Sequence, residues 1–235
     1  MKIHSMVAAA VAAVSIVSGS ALAQGRGNGR GNDHSNPPSQ AEQQRRIAEQ
    51  KQHDTQYQHT LETQTHAAQA RTAQLQKQKR TAQADLQKRY QQSLQAQQQQ
   101  LRTARDYAHD PHYSAPMMYR YKINNAYRET TQYGADALRA AVRNGYQEGY
   151  QAGIADHHDG WRSDYANAYA YRDATWGFNG SYIDQSDYSY YFRQGFQRGY
   201  ADGYANSTRY GSYNNGTASI LDNVLSSILG LATIH

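Results

Sequence analysis

The sequence has no cysteine and only four prolines, none of them beyond Pro116. Without cysteine there is no disulfide and no thiol nucleophile. Without proline, nothing beyond residue 116 interrupts a helix by removing a backbone donor. Glycine is also missing from 39–108, although the chain holds 18 in all. Gly-x-Ser-x-Gly, a phosphate loop and His-Glu-x-x-His are absent, so acyl transfer, nucleotide hydrolysis and zinc proteolysis lack their usual residues. No enzyme activity and no cofactor are expected. Charge of one sign is lacking as well. The net charge is +5, with the basic excess in 24–111 and near balance from His112 onward. Such a spread leaves no nucleic-acid footprint, and no nucleic-acid partner is expected.

What is present is a duplication. Arg143–Asp156 reads R-N-G-Y-Q-E-G-Y-Q-A-G-I-A-D, and Arg193–Asn206 reads R-Q-G-F-Q-R-G-Y-A-D-G-Y-A-N. Glycines fall at Gly145, Gly149 and Gly153, and again at Gly195, Gly199 and Gly203. On a helix a step of four advances a position by about 40° beyond one turn, so each set forms a smooth bare stripe. Glycine in a helix costs about 1 kcal/mol against alanine, so some other term must offset about 6 kcal/mol over the two stripes. A bare stripe admits a second backbone at close range, and the aromatics that follow the glycines wall the groove. The two stripes are therefore expected to pack face to face.

In chain order, 1–23 reads as a signal peptide. Lys2 and His4 precede the apolar run Met6–Val17, and Ala21-Leu22-Ala23 forms a small-x-small cleavage site. The run is too short to span a bilayer. Residues 24–38 form a Gly/Arg/Asn arm without an apolar residue, expected to be disordered. Its two arginines among glycines are too few to argue RNA binding. Residues 39–110 read as one long Gln-rich helix, a possible coiled coil, with Ser39 and Glu42 as a capping box. Its seam is half filled: Leu61, Ala68, Leu75 and Ala82 recur in sevens, and Leu86, Tyr90 and Leu94 then in fours, whereas a coiled coil wants two apolar positions per heptad.

Residues 117–206 read as a helical Gly/Tyr-rich domain. One helix is expected over Met117–His158 and another from Asp184 or Ser186 to Asn206, with an irregular aromatic connector between them. Residues 207–216 read as a linker. Residues 217–235 carry an apolar C-terminal helix on which Ile220, Leu221, Val224, Leu225, Ile228, Leu229 and Leu231 share one side. The expected fold class is all-α: a long Gln-rich helix followed by a small Gly/Tyr-rich helical domain.

Asp156-His157-His158-Asp159 is the densest set of potential metal ligands. Adjacent histidines on a helix diverge by about 100°, and a zinc site needs three or four convergent ligands. The expected role is a polar helix end, with histidine against the negative dipole, and no metal site is assigned. His109-Asp110-Pro111-His112 is a weaker set of the same kind. Eighteen of the 21 tyrosines lie between Tyr113 and Tyr213. They either fill a core short of Leu, Ile and Val, or present stacking surfaces to a glycan; for the second reading Trp161, Tyr165, Tyr169 and Trp176 are the candidate contacts.

The Gly-Tyr-x-x-Gly-Tyr-x-x-Gly pattern, with Tyr171-Arg172-Asp173-Ala174 and Trp176-Gly177-Phe178 between its copies, resembles a group of exported bacterial proteins with helical repeats of this kind. The resemblance covers roughly 140–206 and implies no activity. The sequence therefore points to an exported structural or adaptor protein of the bacterial envelope, periplasmic or secreted. Its expected partner is itself or another envelope protein. The alternative is a glycan- or polymer-binding module for the cell wall, and peripheral membrane contact by the C-terminal helix is a further possibility. Ala21 and Ala23 place the mature N-terminus at Gln24, and N-terminal sequencing of exported material is expected to begin there.

Overall fold

The computed structural model describes residues 36–103 and 105–234. The expected leader and residues 24–35 of the arm lie outside the described residues. The described residues are about 65% helix and 10% strand, so the fold is mostly helical but not purely all-α. No helix among the described residues is long and apolar enough to cross a membrane.

The long Gln-rich segment is two helices, not one: α1 (Gln40–Lys77) and α2 (Thr81–Arg102). Ser39 caps α1 by accepting from the Glu42 N–H at 3.3 Å. The break is a Schellman turn. Lys79 takes a left-handed conformation at φ 58°, its N–H donates to the Gln76 carbonyl at 3.0 Å, and the Arg80 N–H donates to Leu75 at 3.0 Å. Glycine usually fills this position because it has no Cβ penalty, which is why a lysine there gives no sign of a break. The two helices fold back into an antiparallel hairpin, and each half-filled seam completes the other. Tyr57, Leu61, Ala68 and Leu75 are buried on α1, and Tyr90, Leu94 and Leu101 on α2. Glutamines stitch the seam. Gln91 Nε2 donates to the Ala68 carbonyl at 2.9 Å and to Thr72 Oγ1 at 2.6 Å, and the Tyr57 hydroxyl donates to Gln97 Oε1 at 3.2 Å.

The helix expected from Met117 is also corrected. Its first part is a hairpin of β1 (Tyr119–Ile123) and β2 (Ala126–Thr130). Asn124 and Asn125 both have positive φ, 47° and 68°, as a two-residue type I′ turn requires. Tyr121 and Ile123 turn inward while Arg120 and Lys122 face water, a period of two. Helix α3 (Gln132–His158) begins only after Thr131, whose Oγ1 accepts from the Gly134 N–H at 3.3 Å. A short helix α4 (Tyr169–Asp173) lies in the connector, and α5 (Gln185–Ala205) carries the second stripe.

The expected linker and C-terminal helix hold three strands and only a short helix. Strands β3 (Gly211–Asn214) and β4 (Thr217–Ile220) pair across Asn215-Gly216, both with positive φ. Helix α6 is confined to Asp222–Leu229. Its Leu225 and Leu229 are buried in the cluster that also holds Leu138, Tyr191 and Phe192 of α3 and α5, so its apolar face is covered within the chain. A final strand, β5 (Ala232–Thr233), pairs with β1, giving a three-stranded antiparallel sheet in the order β2-β1-β5.

Helices α3 and α5 meet through their glycines. A Cβ on Gly145, Gly149 or Gly153 would lie 2.0, 2.1 or 2.4 Å from the carbonyl oxygens of Phe192, Phe196 and Tyr200. A Cβ on Gly195, Gly199 or Gly203 would lie 2.1, 2.0 or 2.1 Å from those of Val142, Tyr146 and Tyr150. Partner numbers rise together, so the helices are parallel and related by a local two-fold. Parallel helices need a return path, and the aromatic connector over 159–184 supplies it. The rings of Tyr188, Phe192, Phe196, Tyr200 and Tyr204 form a ladder along α5, with successive centroids 6.0 to 6.4 Å apart. Burying one such ring removes at least about 150 Å² from water, worth roughly 4 kcal/mol, so two rings outweigh the propensity cost of all six glycines.

Because the obstructing atoms are backbone oxygens, even one methyl group forces the helices apart. Gly149→Ala and Gly199→Ala are each expected to destabilise the fold by about 3 kcal/mol or more, despite the better helix propensity of alanine. Gln147→Ala, on the exposed side of α3, is expected to be neutral. Chemical denaturation of the three variants checks this, and equal midpoints would remove the interface.

Candidate functional site

The stripes place tyrosine hydroxyls where only a buried acceptor can satisfy them. Tyr146 on α3 donates to Asp202 Oδ2 on α5 at 2.8 Å, and Tyr200 on α5 donates to Asp156 Oδ2 on α3 at 2.6 Å. Asp202 also accepts from Ser207 Oγ at 2.8 Å, Arg209 N at 3.0 Å and Tyr210 N at 2.8 Å. Its carboxylate is thereby saturated, and it shapes the turn into β3.

Asp156 is only 2% exposed and forms an ion pair with Arg80, itself 4% exposed, from the α1–α2 turn. The Arg80 guanidinium lies 4.4 Å from the centroid of the Trp161 ring. Burial raises the Asp156 carboxyl above its usual range, against the Tyr200 hydrogen bond and the charge of Arg80. Asp159 accepts from Ala82 N at 2.9 Å and Gln83 N at 3.0 Å, capping the start of α2. His157 Nδ1 donates to the Tyr204 carbonyl at 2.8 Å. Asp156, His157 and Asp159 therefore diverge, each to a separate structural partner. Asp173 and Asp184, further along the chain, go elsewhere. Asp173 takes the Tyr90 hydroxyl and Thr175 Oγ1, and Asp184 lies 3.7 Å from His53 and 3.6 Å from Arg128. Among the described residues no group of three or more His, Asp or Glu could hold a metal.

Of the four aromatics singled out as glycan contacts, three are turned onto the helical hairpin. Trp161 stacks on Arg80. The Tyr169 hydroxyl donates to the Gln64 carbonyl at 2.7 Å, and its ring meets Tyr90 edge-on at 5.5 Å. Trp176 packs 5.4 Å from Tyr90. Tyr165 alone is exposed, at 38%, and its ring abuts Tyr171 and Tyr200. These residues fasten the connector to α1 and α2 and do not form one stacking surface.

Two grooves gather polar and aromatic groups. The first, about 280 Å³, lies between α1, the turn at 111–114 and the sheet, with Arg46, His53, His112, Tyr121, Arg128 and Tyr182 in its wall. Tyr182 has φ 74°, strained for a non-glycine residue, and its ring is 4.6 Å from that of His112. The second, about 450 Å³, runs along α5 beside the β1–β2 turn and is lined by Tyr171, Tyr190, Arg193, Gln194 and Asn124 among others. Arg80, Asp187, Tyr121 and Arg128 were not legible as partners. Their meeting depends on the helical break at Lys79 and on the Asn124-Asn125 turn, the second of which the dipeptide itself signals. The chain matches no family model, no curated protein and no solved structure.

Two buried groups couple this interior to pH with opposite signs. Glu148 on α3 is 3% exposed, and burial raises its carboxyl to about 7, only partly opposed by Arg89. It binds a proton more tightly folded than unfolded, so its contribution falls as pH rises from about 4.5 to 7. Burial lowers His112 to about 4, so its contribution is lost as pH falls from about 6.5 to 4. Glu148→Gln is expected to be more stable than the parent at pH 7.5, by up to ~3 kcal/mol. The difference should vanish near pH 4.5. Urea midpoints of both proteins across that range test the assignment.

Proposed function

We propose that the chain is an exported, non-enzymatic structural or adaptor protein of the bacterial cell envelope, acting through protein–protein contacts. Export rests on the residues before Gln24. The contact reading rests on the β1–β2 hairpin. Strand β2 is the outer strand of its sheet, and four of its five residues are exposed. Tyr127 on it is 67% exposed, with Arg120 and Lys122 at 5.8 and 5.6 Å from its ring centroid. An aromatic ring flanked by cations on an outer strand is a feature that protein surfaces use for partners, since tyrosine and arginine dominate binding hot spots and an outer strand offers backbone groups for pairing. The glycine stripes are occupied within the chain, so the partner contact falls to the hairpin.

A photo-crosslinking residue at Tyr127, installed in cells, is expected to give a defined adduct in the envelope fraction. The same residue at Gln147 should give none. An adduct of equal yield at both positions, or a protein retained in the cytoplasm, overturns the reading.

A further inference from the structure

We infer that the groove along α5 binds an acidic oligosaccharide. Two tyrosine rings line it, and both are held from behind. Tyr190 stands edge-on against buried Tyr191, with centroids 5.1 Å apart and planes at 89°. Tyr171 packs against Tyr165 at 5.0 Å and Phe196 at 5.6 Å, and its hydroxyl accepts from Gln197 Nε2 at 2.8 Å. Rings fixed in this way lose little freedom on binding, and they offer apolar faces to the C–H side of a pyranose.

Arg193 lies in the same wall. Its Nε donates to the Tyr171 carbonyl at 3.0 Å and its Nη2 to the Arg172 carbonyl at 2.7 Å, which orients the guanidinium and leaves Nη1 outside those two bonds. Asn124 and Gln194 add planar amides from the hairpin turn and from α5; Gln194 Oε1 accepts from Arg198 Nη1 at 3.3 Å, which orients the amide and leaves its NH2 to donate to a sugar hydroxyl.

The charge balance selects the sign. The ionised groups in the lining are Arg128, Arg193 and Asp187, a net of +1. The acid among them is committed: Asp187 takes the Tyr121 hydroxyl at 2.6 Å, Ser186 Oγ at 3.2 Å and the Arg128 guanidinium. A sugar carboxylate directed at Arg193 meets an oriented cation in a groove of about 450 Å³, within the range of small-ligand sites. A peptide would need a deeper apolar pocket than Ile123 alone supplies.

The inference rests on the export reading only for where such a ligand is met, and binding in solution tests it separately. Isothermal titration of the purified chain with trigalacturonate, and with cellotriose as the neutral comparison, is the experiment. Trigalacturonate is expected to bind at least tenfold more tightly than cellotriose. Tyr190→Ala and Gln194→Ala should each weaken it by tenfold or more while thermal melts stay near the parent. Tyr213→Ala, an exposed ring on β3 outside the groove lining, should leave it unchanged. Absence of trigalacturonate binding, equal binding of the neutral sugar, or full binding in both groove variants overturns the proposal. If Tyr190→Ala unfolds, Gln194→Ala alone decides it.

Discussion

Everything in this fold depends on two helical backbones approaching at a distance that admits no side chain. The carbonyl oxygens of one helix occupy the space where a Cβ of the other would stand, at six glycines in succession. At that range the glycine Cα–H groups face carbonyl oxygens, a weak polar contact worth about 0.5–1 kcal/mol each. The parallel arrangement sets like dipole ends side by side, an opposing term of about 0.3–1 kcal/mol at each end. The contact therefore does not stand on backbone terms alone. Ring burial on both flanks decides the balance, which explains why an aromatic follows five of the six glycines.

A core of tyrosine differs from one of leucine because every ring brings a hydroxyl. Left unpaired, a buried hydroxyl costs about 1–3 kcal/mol. Tyr57 uses Gln97 and Tyr191 uses backbone carbonyls, but for four rings the acceptor is an aspartate. Tyr146 with Asp202, Tyr200 with Asp156, Tyr121 with Asp187 and Tyr90 with Asp173 repeat one solution in four places. Each aspartate is then drawn inward and needs further donors: Arg80 for Asp156, backbone N–H groups for Asp202, Arg128 for Asp187. The helical hairpin is fixed to the domain by this requirement, since Arg80 sits in its turn and Asp159 caps α2. The apparent metal cluster is a consequence of the same need.

The glycine stripes were readable because their constraint is local and periodic, with one residue type every fourth position on each helix. Their parallel sense was not, because it depends on where the connector returns. The break at Lys79 was hidden since lysine carries no signal for a left-handed turn. The two strand hairpins were legible in Asn124-Asn125 and Asn215-Gly216. Ile123 and Tyr127 happen to fall four apart, and that spacing imitated a helix across a turn. For the C-terminal segment, residues 217–234 combine β4, α6 and β5, so Ile220 and Leu229 are both buried without sharing a helical face.

The same economy limits where the surface can bind. Most rings are consumed by the interior, because a ring adjacent to a stripe glycine must pack along its own helix. Trp161, Tyr169 and Trp176 are drawn onto the hairpin by Arg80, Gln64 and Tyr90. The most exposed ring, Tyr127 on an outer strand, has neither duty, while Tyr171 and Tyr190 are half-buried and line the groove on the far face of α5. A residue such as Tyr190 lies outside the α3 contact because it is five positions before Gly195, about 140° round from it on a helix of 3.6 residues per turn. Packing that fixes Gly195 against Val142 therefore also fixes the outward face that carries Tyr190, Arg193 and Gln194, so recognition on α5 inherits its rigidity from the glycine contact beneath it.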